Sequence, residues 1–485
     1  MSAITFTREL VREPEYWSLF RAHPELSAGL PRVRLATLPT PVVKQQLAAR
    51  DGGESCKPAG LRAGSAQQLA ARDGGESCKP AGLRAGSAQQ LAARDGGESC
   101  KPAGLRAGSA QQLAARDGGE SCKPAGLRAG SAQQLAARDG GESCKPAGLR
   151  AGSAQQLAAR DGVDATILVK RDDLAGALYG GNKVRKLEFI FGELLSKGRD
   201  SVWTVGAMGS HHCLATALYA QALGMRCHVL HFPQPVTEHV RRNILALQAT
   251  GAEMVLASKF AMPVEVARRH LKDWLGRGGE GSYTIPAGGS SVWGVIGYLN
   301  AAFELAEQVR SGELEEPRRL YVAVGTGGTF VGLWLGCQLA GLQTEVIGVR
   351  VVDRVLCNKA VLMSLTQRTS AHLEALGFDT GKCWLRRPMH LVHDQFGAEY
   401  GRPTEAAREA VRVASEGGST LEFTYTGKAF AALLADAKSA SEAGKTLFWN
   451  TFNSRELTPV SQSAVSKLPA AYQEFFVGEP EVSES

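Results

Sequence analysis

Cysteine is scarce and unpaired in this sequence. Of 485 residues 10 are cysteine, and five of these (Cys56, Cys78, Cys100, Cys122, Cys144) occupy one position of a repeat. The others, Cys213, Cys227, Cys337, Cys357 and Cys383, form no CxxC pair. That excludes a zinc ribbon or a disulfide-stapled fold and points to a reduced, cytoplasmic protein. The N-terminus, MSAITFTRELVREPEYW, lacks the apolar core of a secretion signal. Charge of one sign is also missing once the repeat is set aside. The net charge is +7, but each repeat unit carries +1 and five units supply +5, which leaves +2. Nothing there calls for nucleic acid. Two stretches, Val202–Met225 and Tyr321–Thr344, carry no Asp, Glu, Lys or Arg. Each has glycines where a strand would turn into a helix, so both read as buried strand–loop–helix units and not as membrane spans.

The repeat itself is QQLAARDGGESCKPAGLRAGSA. It starts at Gln45, Gln67, Gln89, Gln111 and Gln133, and a truncated start runs from Gln155 to Gly162. A solenoid unit must offer its neighbours an apolar face, and this one has two Leu, no aromatic and no β-branched residue. The expectation is a flexible, disordered insertion. Fusing Lys44 to Gln155 leaves VVKQQLAARDGVDATILVKRDD, which reads as a short helix over Lys44–Arg50, a turn and a strand at Ile167–Lys170.

Beyond it, strands and helices alternate. Strands are predicted at Val202–Val205, Cys227–His231, Glu253–Ala257, Leu320–Val324, Val346–Val351 and Thr446–Trp449. Helices are predicted at Val184–Leu195, His211–Leu223, Thr237–Thr250, Val264–Leu275, Val292–Val309, Phe330–Leu339, Thr404–Ser415 and Gly427–Ala437. This is an α/β chain of two domains, with mostly parallel twisted sheets flanked by helices. The division expected is 1–44 as the start of a large domain, 45–162 as the insertion, 163–187 as a large-domain segment, 188–290 as a small α/β domain, 291–470 as the large domain, and 471–485 as a disordered acidic tail.

Three segments carry chemistry. In Arg171–Phe189, RDDLAGALYGGNKVRKLEF, two glycines precede Lys183 at a helix start. Glycine lets backbone approach a ligand, and Arg185 and Lys186 are expected to depress the Lys183 pKa. An ordinary solvated lysine is the bland alternative. In VGAMGSHHCLATALYAQALGM, Ser210 opens a helix and reads either as an N-cap or as a carboxylate site. The adjacent His211, His212 and Cys213 cannot easily converge on one metal ion. In LYVAVGTGGTFVGL, the run Gly325, Thr326, Gly327, Gly328, Thr329 follows a buried strand and opens a helix. That is a phosphate cradle, or equally the start of a dinucleotide site with Asp353 on the ribose.

Together these segments resemble the D-cysteine desulfhydrase and 1-aminocyclopropane-1-carboxylate (ACC) deaminase family, within the tryptophan-synthase β-type pyridoxal-phosphate (PLP) enzymes of fold type II. The most specific stretch is KRDDLAG…GGNKVRKLEF. GGSSVWGVIGY (Gly288–Tyr298), EYGRPTEAA (Glu399–Ala407) and TYTGKAFAAL (Thr424–Leu433) support it. The resemblance implies PLP as cofactor, held covalently by Lys183, with its phosphate on Lys186 and the Gly325–Thr329 loop. It implies Ser210 at the substrate carboxylate, Tyr400 and Tyr425 on the substrate side, and Thr451 at the pyridine nitrogen. The family's Ser-Asn-His is Ser210-His211-His212 here, so His211 is expected to meet the cofactor's phenolic oxygen. The usual Gly-Gly after the final threonine is Phe452-Asn453, and the usual Asp-Pro ahead of the tyrosine is Glu422-Phe423. ACC deaminases resemble Tyr-Glu where this chain has Tyr425-Thr426, as desulfhydrase-like members do. The implied activity is β-elimination from a small amino acid, D-cysteine giving pyruvate, hydrogen sulfide and ammonia. Its partners are then a small amino-acid substrate, with no nucleic acid, no membrane and a homodimer as the assembly open to it. ACC ring opening is the same-class alternative. A dinucleotide-dependent oxidoreductase and an inactive binding protein are the alternatives of another class.

Overall fold

Strands that are apolar along their whole length need a sheet covered on both faces. Past their first residues, the strands Arg319–Val324 (RLYVAV) and Thr446–Trp449 (TLFW) are of this kind, and nearly every residue in them is buried. The computed structural model describes residues 9–11, 14–47, 62–73, 84–95, 106–116, 127–139, 149–151, 154–161, 165–258, 261–276, 283–436, 445–455 and 462–478. It divides into one unit of residues 1–45, 167–436 and 444–485, and another of residues 46–166 with 437–443.

In chain order the strands are β1 (Val42–Leu47), β2 (Arg62–Asp73), β3 (Arg84–Asp95), β4 (Arg106–Arg116), β5 (Leu127–Asp139), β6 (Leu149–Ala151), β7 (Ala154–Asp161) and β8 (Ala165–Lys170). There follow β9 (Ser201–Ala207), β10 (Arg226–Phe232), β11 (Glu253–Leu256), β12 (Tyr283–Ile285), β13 (Arg319–Val324), β14 (Glu345–Arg350), β15 (His390–Val392) and β16 (Thr446–Trp449). The helices are α1 (Ser18–Ala22), α2 (Asn182–Ser196), α3 (His211–Ala222), α4 (Glu238–Ala249), α5 (Met262–Gly276), α6 (Val292–Arg310), α7 (Gly328–Leu339), α8 (Lys359–Ala375), α9 (Glu405–Glu416), α10 (Thr426–Asp436) and α11 (Ala470–Gln473).

The first unit holds two sheets, ordered β1-β8-β16-β13-β14-β15 and β11-β10-β9-β12. Their inner pairings are parallel, for example Tyr321 beside Phe448 and Val229 beside Thr204. The smaller sheet lies within the expected 188–290 domain. Helix α6 packs on α2 and α7. A Cβ at Gly297 of α6 would stand 2.2 Å from the Arg185 carbonyl, so the α2 contact requires glycine there. Both uncharged stretches are strand–loop–helix units, and no helix among the described residues is long and apolar enough to cross a membrane.

A buried charge cluster fixes α2. Arg185 donates to both Asp172 oxygens at 2.7–3.0 Å and to both Glu304 oxygens at 2.9–3.0 Å. Lys170 Nζ meets Glu304 at 2.6 Å and the Thr40 carbonyl at 2.6 Å. Tyr298 and Trp449 each donate to Asp172 at 2.7 Å. Two cations face two carboxylates, and hydrogen bonds take up the remaining lone pairs, which is what a buried ion cluster needs to persist. Glu188, also on α2, accepts the backbone N–H groups of Leu35 and Ala36 at 2.9 Å and Trp17 Nε1 at 3.1 Å, tying down the entry segment.

The structure differs from the sequence reading in several places. Lys44–Arg50 is not a helix: residues through Leu47 form the edge strand β1. Gln45 points inward, accepting from Ser419 Oγ at 2.6 Å and donating to the Ala414 carbonyl at 3.2 Å, and this tertiary pairing overrides local propensity. Residues 48–50 lie outside the described residues. The tail expected to be disordered from residue 471 is docked as far as Gly478. Tyr472 is buried with its hydroxyl 3.0 Å from His231 Nδ1, and Arg241 donates to the carbonyls of Phe475 and Gly478. The rest of that tail, 479–485, lies outside the described residues.

In the second unit, where a flexible loop is expected, the described repeat residues lie in strands β2–β7. Residues pair in parallel with their counterparts in the neighbouring repeat, as Gln68 with Gln90 and Gln112 with Gln134. Identical units permit this without an apolar face, because in-register pairing gives main-chain donors and acceptors their partners.

Candidate active site

The turn ahead of Lys183 sets its place. Gly180 N–H donates to Asn453 Oδ1 at 2.7 Å, and Asn182 N–H donates to the Thr451 carbonyl at 3.2 Å. Gly181 has φ 80°, and a Cβ there would lie 2.6 Å from the Phe452 carbonyl oxygen. Only glycine fits that approach. The Phe452-Asn453 pair therefore still receives the glycine turn. Lys183 sits in the first turn of α2, half-buried, with Nζ donating to Asn182 Oδ1 at 2.5 Å. Burial pushes its ammonium down to about 8, against the opposing pull of Glu422 and Cys213. The sequence reading credited Arg185 and Lys186. Arg185 is instead neutralised by Asp172 and Glu304, and loss of hydration is the cause.

Lys186, one turn on, is buried and donates to the Gly288 carbonyl at 2.9 Å. A Cβ at Gly328 would lie 3.2 Å from its Nζ, so the ammonium stands at the N-terminus of α7. Among the described residues no carboxylate pairs with it. Burial, then the charge of Lys183, holds Lys186 well below the usual lysine range. Around it, Ser290 Oγ accepts the Gly328 N–H at 3.0 Å and lies 2.6 Å from Thr326 Oγ1, and Asn182 donates to Thr329 Oγ1 at 2.9 Å. Gly327 caps α7 with φ 93°. A buried cation without a carboxylate, beside glycine N–H groups at a helix start, is a site for a phosphate. The residues present fit PLP: a phosphate cradle and a lysine of lowered basicity near the start of one helix.

Ser210 caps α3, accepting the Cys213 N–H at 3.3 Å. His211 Nδ1 lies 2.5 Å from the Tyr179 hydroxyl, and its Nε2 lies 3.0 Å from His239 Nε2. Both ring nitrogens are thus engaged by protein groups, so the ring bridges two side chains where the sequence reading aimed it at a cofactor oxygen. His212 Nε2 lies 3.0 Å from Thr204 Oγ1. Tyr400 and Tyr425 meet hydroxyl to hydroxyl at 2.7 Å, ring edge to face. A Cβ at Gly325 would lie 3.1 Å from Tyr425 Cε1, which puts the tyrosine pair against the glycine loop. Burial raises both phenols, Tyr400 to about 12 and Tyr425 well above its ordinary value, so both are neutral donors at neutral pH. Thr451, just past β16, is half-buried, and its carbonyl anchors Asn182. Asp353 is exposed in a turn after β14.

Sequence reasoning missed several contributors. Glu422 accepts the N–H groups of Thr424, Tyr425 and Thr426 at 2.7–3.1 Å, which caps α10 and sets Tyr425. Its place two residues ahead of Thr424 was the available signal. Lys428 donates to the Phe396 carbonyl at 2.6 Å and holds the segment before Tyr400. Ser290, within GGSSVWG, completes the glycine cradle.

A family model described as pyridoxal-phosphate dependent enzyme matches residues 153–451. The chain is 33% identical to the D-cysteine desulfhydrase of Salmonella paratyphi B over 292 residues, covering 59% of this chain and 86% of that protein. It is 34% identical to the D-cysteine desulfhydrase of Salmonella choleraesuis over the same length and coverage. Among solved structures, an ACC deaminase homologue matches with a TM-score of 0.50 and 30% identity, covering 60% of this chain and 84% of that one.

Proposed function

The chain belongs to the pyridoxal-phosphate dependent enzymes, and from that premise we propose that it cleaves a β-substituted small amino acid, D-cysteine first, to pyruvate, hydrogen sulfide and ammonia. PLP, when bound, withdraws electrons from the substrate α-carbon, so that a proton there becomes acidic and a β-substituent can leave. The rest falls to side chains. Lys186 and the backbone of Gly325–Thr329 hold the phosphate. Ser210 and the N-terminus of α3 take the substrate carboxylate. Lys183, of lowered basicity, is the base for the α-proton. Tyr400 and Tyr425, both neutral and hydrogen-bonded to one another, supply a proton to the departing sulfide. Thr451 offers the pyridine nitrogen a hydroxyl and not a carboxylate, which suits elimination better than transamination.

The observation that carries D-cysteine over ACC is Thr426. Its hydroxyl lies 3.0 Å from Glu422 Oε1 and is buried in the α10 cap, so no second acid stands beside the Tyr425 phenol at that position. ACC has no α-proton for Lys183 to remove, and its ring opening needs such an acid–base pair. The test is to offer the purified protein D-cysteine, L-cysteine, β-chloro-D-alanine and ACC, following pyruvate and 2-oxobutyrate. Pyruvate from a β-substituted amino acid with little 2-oxobutyrate from ACC is expected. Efficient turnover of ACC with none of the others processed would reverse the ranking.

A further inference from the structure

A hydrogen-bonded chain runs away from the site through two histidines on different helices. The Tyr179 hydroxyl meets His211 Nδ1 at 2.5 Å, His211 Nε2 meets His239 Nε2 at 3.0 Å, and His239 Nε2 meets Asn243 Nδ2 at 3.0 Å. Asn243 Nδ2 also donates to the Gly209 carbonyl at 2.9 Å, immediately before Ser210. The direction of every link follows from that last bond. It fixes the amide nitrogen of Asn243 as the atom facing both partners, and an amide nitrogen only donates. His239 Nε2 is then an acceptor and carries no proton. Two bare ring nitrogens 3.0 Å apart would repel, so the proton is assigned to His211 Nε2, which shares the His239 lone pair with Asn243. A neutral imidazole protonated at Nε2 has a bare Nδ1, which accepts the Tyr179 hydroxyl.

The chain has room for one proton per link. Among the described residues, the titratable groups acting on His211 are Tyr179 from the segment before α2, Lys183 from α2 and His239 from α4. The Phe452 ring closes another side, edge to face at 5.3 Å from His211. A proton added to the pair would place a cation near Lys183 and force either the Tyr179 or the His239 link to reverse. Burial, then His239 and Lys183, holds His211 well below the usual imidazole range, in keeping with this.

We propose that His239 and Asn243 are positioning residues of this site. They lock His211 in the neutral, Nε2-protonated form that accepts Tyr179, and so set the lower pH limit of turnover. This rests on the reading of Lys183 as the reacting amine, but the proton position on His211 can be read without turnover. Long-range proton–nitrogen spectra of the full-length protein labelled with nitrogen-15 histidine, across roughly pH 5 to 9 where an imidazole ordinarily titrates, give it directly. His211 is identified by the resonance lost in His211→Asn.

The expected wild-type result is a neutral His211 with its proton on Nε2 throughout. His239→Gln keeps a carbonyl acceptor for that proton and should retain both the spectrum and the acid limb of kcat/KM. His239→Phe and Asn243→Leu should lose the fixed tautomer and move the acid limb upward. A wild-type His211 that is protonated on Nδ1, or cationic at neutral pH, overturns the proposal whatever the variants do. So does an acid limb that moves equally in His239→Gln and His239→Phe. Failure of Lys183 as the reacting amine would leave the wild-type spectrum as predicted, which keeps the two outcomes apart.

Discussion

Burial gives the Lys183 ammonium a pKa of about 8, and the consequence can be measured in cofactor-stripped protein. At pH 7 such a group is about one-tenth neutral, whereas an unburied lysine is neutral at roughly 0.04%, so reactive amine is enriched about 200-fold. The rate at which stripped protein recaptures PLP at each pH reads that fraction. It should climb about tenfold per pH unit below about 8 relative to saturation and level off above it. Glu422 works in the opposite direction, since its charge stabilises the ammonium. Glu422→Gln should therefore move the midpoint to lower pH. A rise that continues unbroken to about pH 10, the range of an ordinary lysine, would refute burial as the cause. A Glu422→Gln midpoint displaced upward would refute the electrostatic assignment.

Lys186→Met removes a charge-assisted contact of about 1.5–3 kcal/mol, so PLP affinity by equilibrium dialysis should fall roughly 10- to 100-fold. Arg185→Met leaves Asp172 as a buried carboxylate without a cation and Glu304 with Lys170 alone, and should lower stability by about 3–5 kcal/mol in urea titration, while Glu188→Gln should cost less because its partners are neutral N–H groups. Deleting residues 45–154 regenerates VVKQQL from Gln155, Gln156 and Leu157, so β1 is restored. That variant should retain cofactor binding and turnover, and loss of folding would mean the repeat is structural.

What the sequence disclosed depended on how local the cause was. Continuous apolar runs such as Leu320–Val324, the glycine turn before Lys183 and the serine cap of α3 announce themselves within a few residues. Helix α8 does not. Its buried face includes Thr366 and Thr369, whose hydroxyls bond back to Leu362 and Leu365 at 2.9 Å, so polar letters conceal an inward stripe. β1 was hidden because its partner strand comes more than a hundred residues later, and inward Gln45 looks like a surface residue. The His211–His239 contact joins two helices and has no local signature. Tyr472, in a short helix near the end of the chain, is held by His231 from a distant part of the sequence.

The role of Lys183 is tested most directly by borohydride reduction of the protein as purified, followed by peptide mapping. A pyridoxyl group on Lys183, in the peptide containing GGNK, is the predicted result. A label on Lys186 or Lys428, or no labelled peptide at all, would contradict it.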